Sequence, residues 1–144
     1  MVKNQLKMSF QSLSENVGIA RVTAAAFAAQ VELTLSEIEE IKVAVSEAVS
    51  NAVIHGYGND LGIIKLSMTL LENRIEYSIV DYGKGIQDIE LARQPSYSSD
   101  PERMGLGFVF MESFMDELKI QSKLDAGTTV TMVKVINSKI EIEH

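Results

Sequence analysis

Glu47-Ala48-Val49-Ser50-Asn51-Ala52-Val53-Ile54-His55-Gly56-Tyr57 is the stretch whose reading decides the fold and locates the chemistry. It closes a helical pattern that opens at Ser36, where Ser36-x-x-Glu39 has the form of a capping box. Gly56 stands where a helix C-terminal cap belongs. At about 100° per residue, Ile38, Ile41, Val45, Ala48 and Ala52 form the core stripe of a helix that runs to His55. Glu47 and Asn51, one turn apart, share a different stripe, with His55 beside them. A solvated helix face normally carries several charges, yet between Lys42 and Asp60 the only formal charge is Glu47. The face therefore reads as the wall of a pocket. In a pocket, the Asn51 amide oxygen is a hard ligand suited to Mg²⁺, and Glu47 is placed to polarise a hydroxyl or water as general base. His55 reads first as a cap at the negative end of the helix dipole, with a phosphate contact as the alternative.

Working outward, the chain of 144 residues is 46% hydrophobic, enough for one domain, residues 1–144, with its own core. The net charge of −7 argues against a direct nucleic-acid partner. There is no cysteine, which removes disulfides and thiolate metal sites and fits a reducing cytoplasm. Met1 to Gln11 lacks the apolar core of a signal peptide, and no run is long enough to span a membrane.

Alternation of Leu6, Met8 and Phe10 predicts a first strand over 6–10, followed by an alanine-rich helix over 14–30. Beyond the 36–55 helix, residues 63–71 and 74–81 read as paired strands around Glu72-Asn73. Residues 82–103 read as a long loop with one helical turn at 88–93, and 108–118 as a helix with Phe108, Met111 and Met115 on one stripe. Residues 118–124 and 128–136 form a second strand pair around Asp125-Ala126-Gly127, and 137–144 a frayed, charged tail. Strands in consecutive pairs with helices gathered on one face give an α+β two-layer sandwich, its sheet mixed but mainly antiparallel. The order does not alternate as a dinucleotide-binding fold would.

Two further motifs follow the first. Asp81-Tyr82-Gly83-Lys84-Gly85-Ile86 puts a carboxylate at the end of an apolar strand. Asp81 either caps the turn or accepts a hydrogen bond from a ligand amino group such as that of adenine, with Gly83 and Gly85 letting the backbone pass close to the base. Met104-Gly105-Leu106-Gly107-Phe108 opens an apolar helix, so Gly105 and Gly107 mark either a plain turn or exposed N–H groups that attract an anion. Arg103 adds a cation, and the loop 86–103, with Pro95 and Pro101, has the length of a lid.

In this order the three motifs resemble the asparagine box and the two glycine boxes of the GHKL ATPase/kinase superfamily. The resemblance implies the Bergerat ATP-binding fold. Within that superfamily, the chain from about Leu6 to Val135 is similar to the anti-sigma F family of serine-protein kinases of endospore-forming bacteria. The similarity includes Ala92-Arg93-Gln94-Pro95 and Met111-Glu112-Ser113-Phe114-Met115-Asp116. It implies Asn51 as the magnesium-binding residue, Glu47 as catalytic base and Asp81 as reader of adenine. It implies Gly83, Gly85, Gly105 and Gly107 as nucleotide-loop glycines and Thr129 as a threonine near the adenine. It implies Arg103 as a lid arginine near the γ-phosphate and Arg21 as a partner contact. It further implies ATP/ADP and Mg²⁺ as cofactors, a homodimer, and binding and inhibition of sigma F. The last implication is phosphorylation of a serine on an anti-anti-sigma factor. Arg21 also stands alone on residue grounds: 17–29 is otherwise free of charge, so that helix has an apolar side left for a partner or a second subunit. The alternatives are a sibling anti-sigma B-type stress-response kinase and an ATP-binding anti-sigma module without phosphotransfer. A sensor histidine kinase would need an upstream phosphoacceptor helix pair, and a gyrase-type ATPase a transducer domain.

Overall fold

A computed structural model describes residues 1–94 and 104–136, with Met104 described in its backbone alone. Residues 95–103 of the expected lid loop, Arg103 among them, and the 137–144 tail lie outside the described residues. The elements are β1 (Asn4–Gln11), α1 (Glu15–Ala28), α2 (Leu35–Asn51), a π turn (Ala52–Gly56), β2 (Ile63–Leu70) and β3 (Arg74–Asp81). They continue with α3 (Ile89–Ala92), α4 (Met104–Phe114), β4 (Glu117–Lys123) and β5 (Gly127–Val135).

The strands form one sheet in the order β1-β2-β3-β5-β4. All four described pairings are antiparallel, so the expected mixed character is absent among them. Alternation decides the faces. Ile64, Leu66, Met68, Ile75, Tyr77, Ile79, Val130 and Met132 are buried, while Lys7, Lys65 and Lys119 on the opposite pleat are exposed. α2 packs between α1 and α4 above the buried face, closing the two-layer sandwich. Two polar groups cross this apolar layer. The Tyr77 hydroxyl donates to the Ala24 carbonyl at 2.9 Å, and burial pushes its pKa well above the usual phenol range. Lys134, on the buried face of β5, donates to Glu40 Oε1 at 2.7 Å and to the Phe114 carbonyl at 2.6 Å, so one ammonium joins β5, α2 and the end of α4.

Three local expectations change. The capping box is Thr34 and Glu37, not Ser36 and Glu39. Thr34 Oγ1 accepts the Glu37 N–H at 3.0 Å, and Glu37 Oε1 accepts the Thr34 N–H at 2.8 Å. Both tetrads match the pattern, but Leu33 and Ile38 pack against the core on either side of Thr34, which sets where the chain enters the helix; Ser36 and Glu39 are left exposed. α2 also ends at Asn51 rather than His55, and the chain continues through the π turn, whose wide loop is closed by Tyr57 N–H to the Ala52 carbonyl at 3.3 Å. Gly56 is thus inside that turn and not a cap. Finally α4 begins at Met104, so Gly105 and Gly107 lie within its first turn rather than in a loop ahead of it.

Candidate functional site

The site is built where three chain segments meet over the Asp81 end of the sheet: the end of α2 with the π turn, the β3 exit, and the first turn of α4. The cleft between them is lined by Ala48, Asn51, Ala52, His55, Gly56, Ile79, Asp81, Gly85, Ile86, Phe108, Thr128 and Val130. Its walls are apolar, with a few convergent polar groups, which is the composition of a small-molecule site.

Asp81 ends β3 on the buried face, at 5% exposure. Burial raises its carboxyl pKa, and the backbone N–H groups of Gly83 and Thr128 pull it partly back. Asp81 Oδ1 accepts the Gly83 N–H at 2.9 Å. A buried carboxylate with lone pairs left over is an acceptor waiting for a donor. Gly56 makes room for it: a Cβ there would lie 2.8 Å from Asp81 Cγ and Oδ1. The π turn is what carries Gly56 to that position.

Asn51, on the last turn of α2, has a buried Nδ2 with no hydrogen-bond partner among the described residues. Such an atom is unusual in a folded interior, and as a donor it marks a place where an acceptor, such as a phosphate oxygen of a ligand, completes the set. Gly107 of α4 faces it. A Cβ at Gly107 would sit 2.8 Å from Glu47 Oε1 and 3.4 Å from Asn51 Nδ2, so a side chain there would push the Glu47 carboxylate aside. Glu47, Asn51 and the α4 N-terminus, with its outward N–H groups, therefore share one corner of the cleft, and Asp81 stands at the other. Among the described residues no cluster of three or more His, Cys, Asp or Glu side chains could cage a metal. The atom of Asn51 that would suit Mg²⁺ is its amide oxygen, as one hard ligand to an ion that keeps its waters and takes phosphate oxygens for most of its shell.

The structure thus brings together Glu47, Asn51, Asp81, Gly85 and Gly107, with Gly83 two residues after Asp81 and Gly105 one residue into α4 against the Gln94 carbonyl. Of the two threonines, Thr128 lines this cleft, opposite Asp81 in the β3–β5 ladder, and Thr129 is not among its lining residues. Alternation explains this, because Val130 and Met132 are buried on the cleft face, and Thr128 has their parity. The sequence reading also missed Ser122, whose Oγ accepts the Ile86 N–H at 2.7 Å and sits 2.8 Å from Thr128 Oγ1. The parity of Leu118 and Ile120 in β4 was the available signal. Arg21 is outside the cleft: half-buried on α1, its Nη1 lies 3.3 Å from Ser46 Oγ on α2. On the same helix Ile19 and Val22 are 56% and 63% exposed, so the apolar outer side expected for α1 is present.

The family model described as the histidine kinase-like ATPase domain matches residues 10–134. An anti-sigma F factor of Anoxybacillus flavithermus is 48% identical over 136 residues, covering 92% of this chain and 93% of that protein. Another, from Geobacillus stearothermophilus, is 46% identical over 141 residues, covering 96% and 97%. Among solved structures, the RsbU and RsbW domains of a Mycobacterium tuberculosis protein superpose with a TM-score of 0.66 at 23% identity, over 92% of this chain and 32% of that one. The histidine kinase domain of a blue-light activated kinase from Erythrobacter litoralis gives 0.62 at 16% identity, over 88% of this chain and 62% of that one. These two likenesses speak for the fold alone. No helix among the described residues is long and apolar enough to cross a membrane. Near-half identity over almost the full length of the relatives, on top of the matched ATPase domain, means that the chain belongs to the anti-sigma F factor family of the histidine kinase-like ATPases.

Proposed function

We propose that the protein binds ATP with Mg²⁺ in this cleft, holds sigma F inactive as a homodimer in the nucleotide-bound state, and phosphorylates a serine of an anti-anti-sigma factor. The observation that carries the reading is the buried Asn51 Nδ2, unpartnered among the described residues, beside Glu47, at the start of α4 and across the cleft from Asp81. Asp81 supplies the acceptor for an adenine amino group, between the apolar walls of Ile79, Ile86 and Val130. The N–H groups at the start of α4 face the phosphate chain. Bound Mg²⁺ would neutralise phosphate charge next to Asn51. Glu47 accepts the serine hydroxyl proton as that oxygen bonds to the γ-phosphorus, and the bond to the departing ADP oxygen breaks. The relatives' name supports the sigma partner, and the exposed side of α1 beside Arg21 supports a protein contact there.

Incubation with γ-labelled ATP and candidate anti-anti-sigma proteins, followed by phosphosite mapping, tests the reading. Label on one partner serine, dependent on Mg²⁺, is the expected result. ATP binding with sigma inhibition but no transferred label would leave a nucleotide-dependent anti-sigma module and remove the kinase.

A further inference from the structure

We infer that Tyr57 is a positioning residue for base recognition: its hydroxyl fixes the Asp81–Lys84 loop and so the direction in which Asp81 offers its carboxylate. The inference rests on the proposed nucleotide reading of the cleft and adds a specificity-determining group outside it.

Three consecutive amides follow Asp81, and each has its own acceptor. The Tyr82 N–H donates to the Tyr57 hydroxyl at 2.7 Å, the Gly83 N–H to Asp81 Oδ1 at 2.9 Å, and the Lys84 N–H to the Gly56 carbonyl at 2.9 Å. Two of these three acceptors are the residues that leave the π turn. The Tyr57 hydroxyl also donates to the Ile63 carbonyl at 2.6 Å, so it is anchored to the first residue of β2 while it holds the loop. Its ring is fixed as well: Gly62 is packed so closely on it that no side chain would fit there, and the Gly62 N–H is bound by Ser12 Oγ at 2.9 Å. The hydroxyl is therefore a rigid point between a β-strand and the loop. Tyr57 itself does not line the cleft. It acts through the backbone of Tyr82, the peptide next to Asp81.

A carboxylate distinguishes adenine from guanine by accepting from the exocyclic amino group that guanine replaces with a carbonyl at the same position. That discrimination depends on direction, because a misplaced acceptor loses the bond but keeps its general charge. Removing the Tyr57 hydroxyl frees the Tyr82 amide and lets the Asp81 carboxylate swing. ATP affinity should fall while GTP, which gains nothing from that bond, should bind much as before.

The experiment compares the full chain with Tyr57→Phe, which keeps the ring on Gly62. Affinities for ATP and GTP are measured by calorimetry with Mg²⁺, and amide hydrogen exchange is followed at Tyr82 and Gly83. The expected result is an ATP-over-GTP preference that shrinks by about 3- to 10-fold, the worth of one hydrogen bond. Faster exchange should be confined to the 82–84 amides and their neighbours. An unchanged preference overturns the inference, as does an equal loss for both nucleotides, which would make Tyr57 a general stability residue. A wild-type chain that binds no ATP would remove the nucleotide reading and this inference with it, whereas a wild-type preference that survives in Tyr57→Phe removes this inference alone.

Discussion

Asp81→Asn should move ligand affinity and fold stability in opposite directions. The side chain is almost fully buried, and desolvation raises its pKa despite the N–H groups of Gly83 and Thr128. The sign follows from linkage. A carboxyl whose folded pKa is raised binds its proton more tightly in the fold, so its contribution to stability is full below the unfolded value and is lost as pH rises through the folded one. Wherever Asp81 is ionised in the fold, its charge is thus a net cost to the empty protein. Asparagine has the same shape beside Gly56 and keeps one oxygen for the Gly83 N–H, so it removes the cost without opening a cavity. A bound adenine amino group loses a charge-assisted acceptor worth about 1.5–3 kcal/mol, or roughly 10- to 150-fold in affinity. Calorimetry with ATP gives the affinity, and thermal melts of the ligand-free protein at pH 7 and at about pH 4.5 give the stability. The variant should melt no lower than wild type at pH 7, with the difference shrinking at the lower pH. A variant that melts several degrees lower at pH 7 and binds ATP normally would refute the reasoning and make Asp81 a structural cap.

Glu47→Gln should retain ATP binding and slow phosphotransfer by about 10²–10⁴-fold in single-turnover measurements, the usual worth of a general base; rates within a few-fold of wild type would exclude that role. Gly107→Ala places a methyl 2.8 Å from Glu47 Oε1, while alanine suits a helix better than glycine. It should therefore melt no lower than wild type yet transfer phosphate about 10- to 100-fold more slowly, checked by parallel melts and labelled-ATP assays. Among the described residues, Arg21→Ala loses one side-chain hydrogen bond, the 3.3 Å bond to Ser46. Tm and ATP affinity should stay nearly unchanged, while binding of sigma F and of the anti-anti-sigma factor, titrated with ATP and with ADP, weakens; unchanged partner affinities would assign Arg21 to α1–α2 packing.

What the sequence alone determined was what periodicity and spacing carry. The strands at 63–71 and 74–81 are within a residue of β2 and β3, because one face of each is buried and the side-chain period is two. Ile41, Val45, Ala48 and Ala52 are buried as the helical stripe requires. Glu47 and Asn51 meet at one corner because a four-residue step within a regular helix fixes their relation before any tertiary contact forms. Tertiary structure decided the rest. Two tetrads fit the capping pattern equally, and only the seating of Leu33 and Ile38 on the core selected Thr34. Nothing local in Ala52 to Gly56 specifies a π turn; the close approach of Gly56 to Asp81 accompanies it. The parity of β5 puts Thr128 on the cleft face, but only pairing with β3 sets it opposite Asp81. The Tyr57 contact with Tyr82 joins residues 25 apart, brought together by the β2–β3 pairing and the π turn, so no short window of sequence contains it. Spacing along one element is a local quantity and can be read directly, whereas the register between elements is fixed when the whole core packs at once.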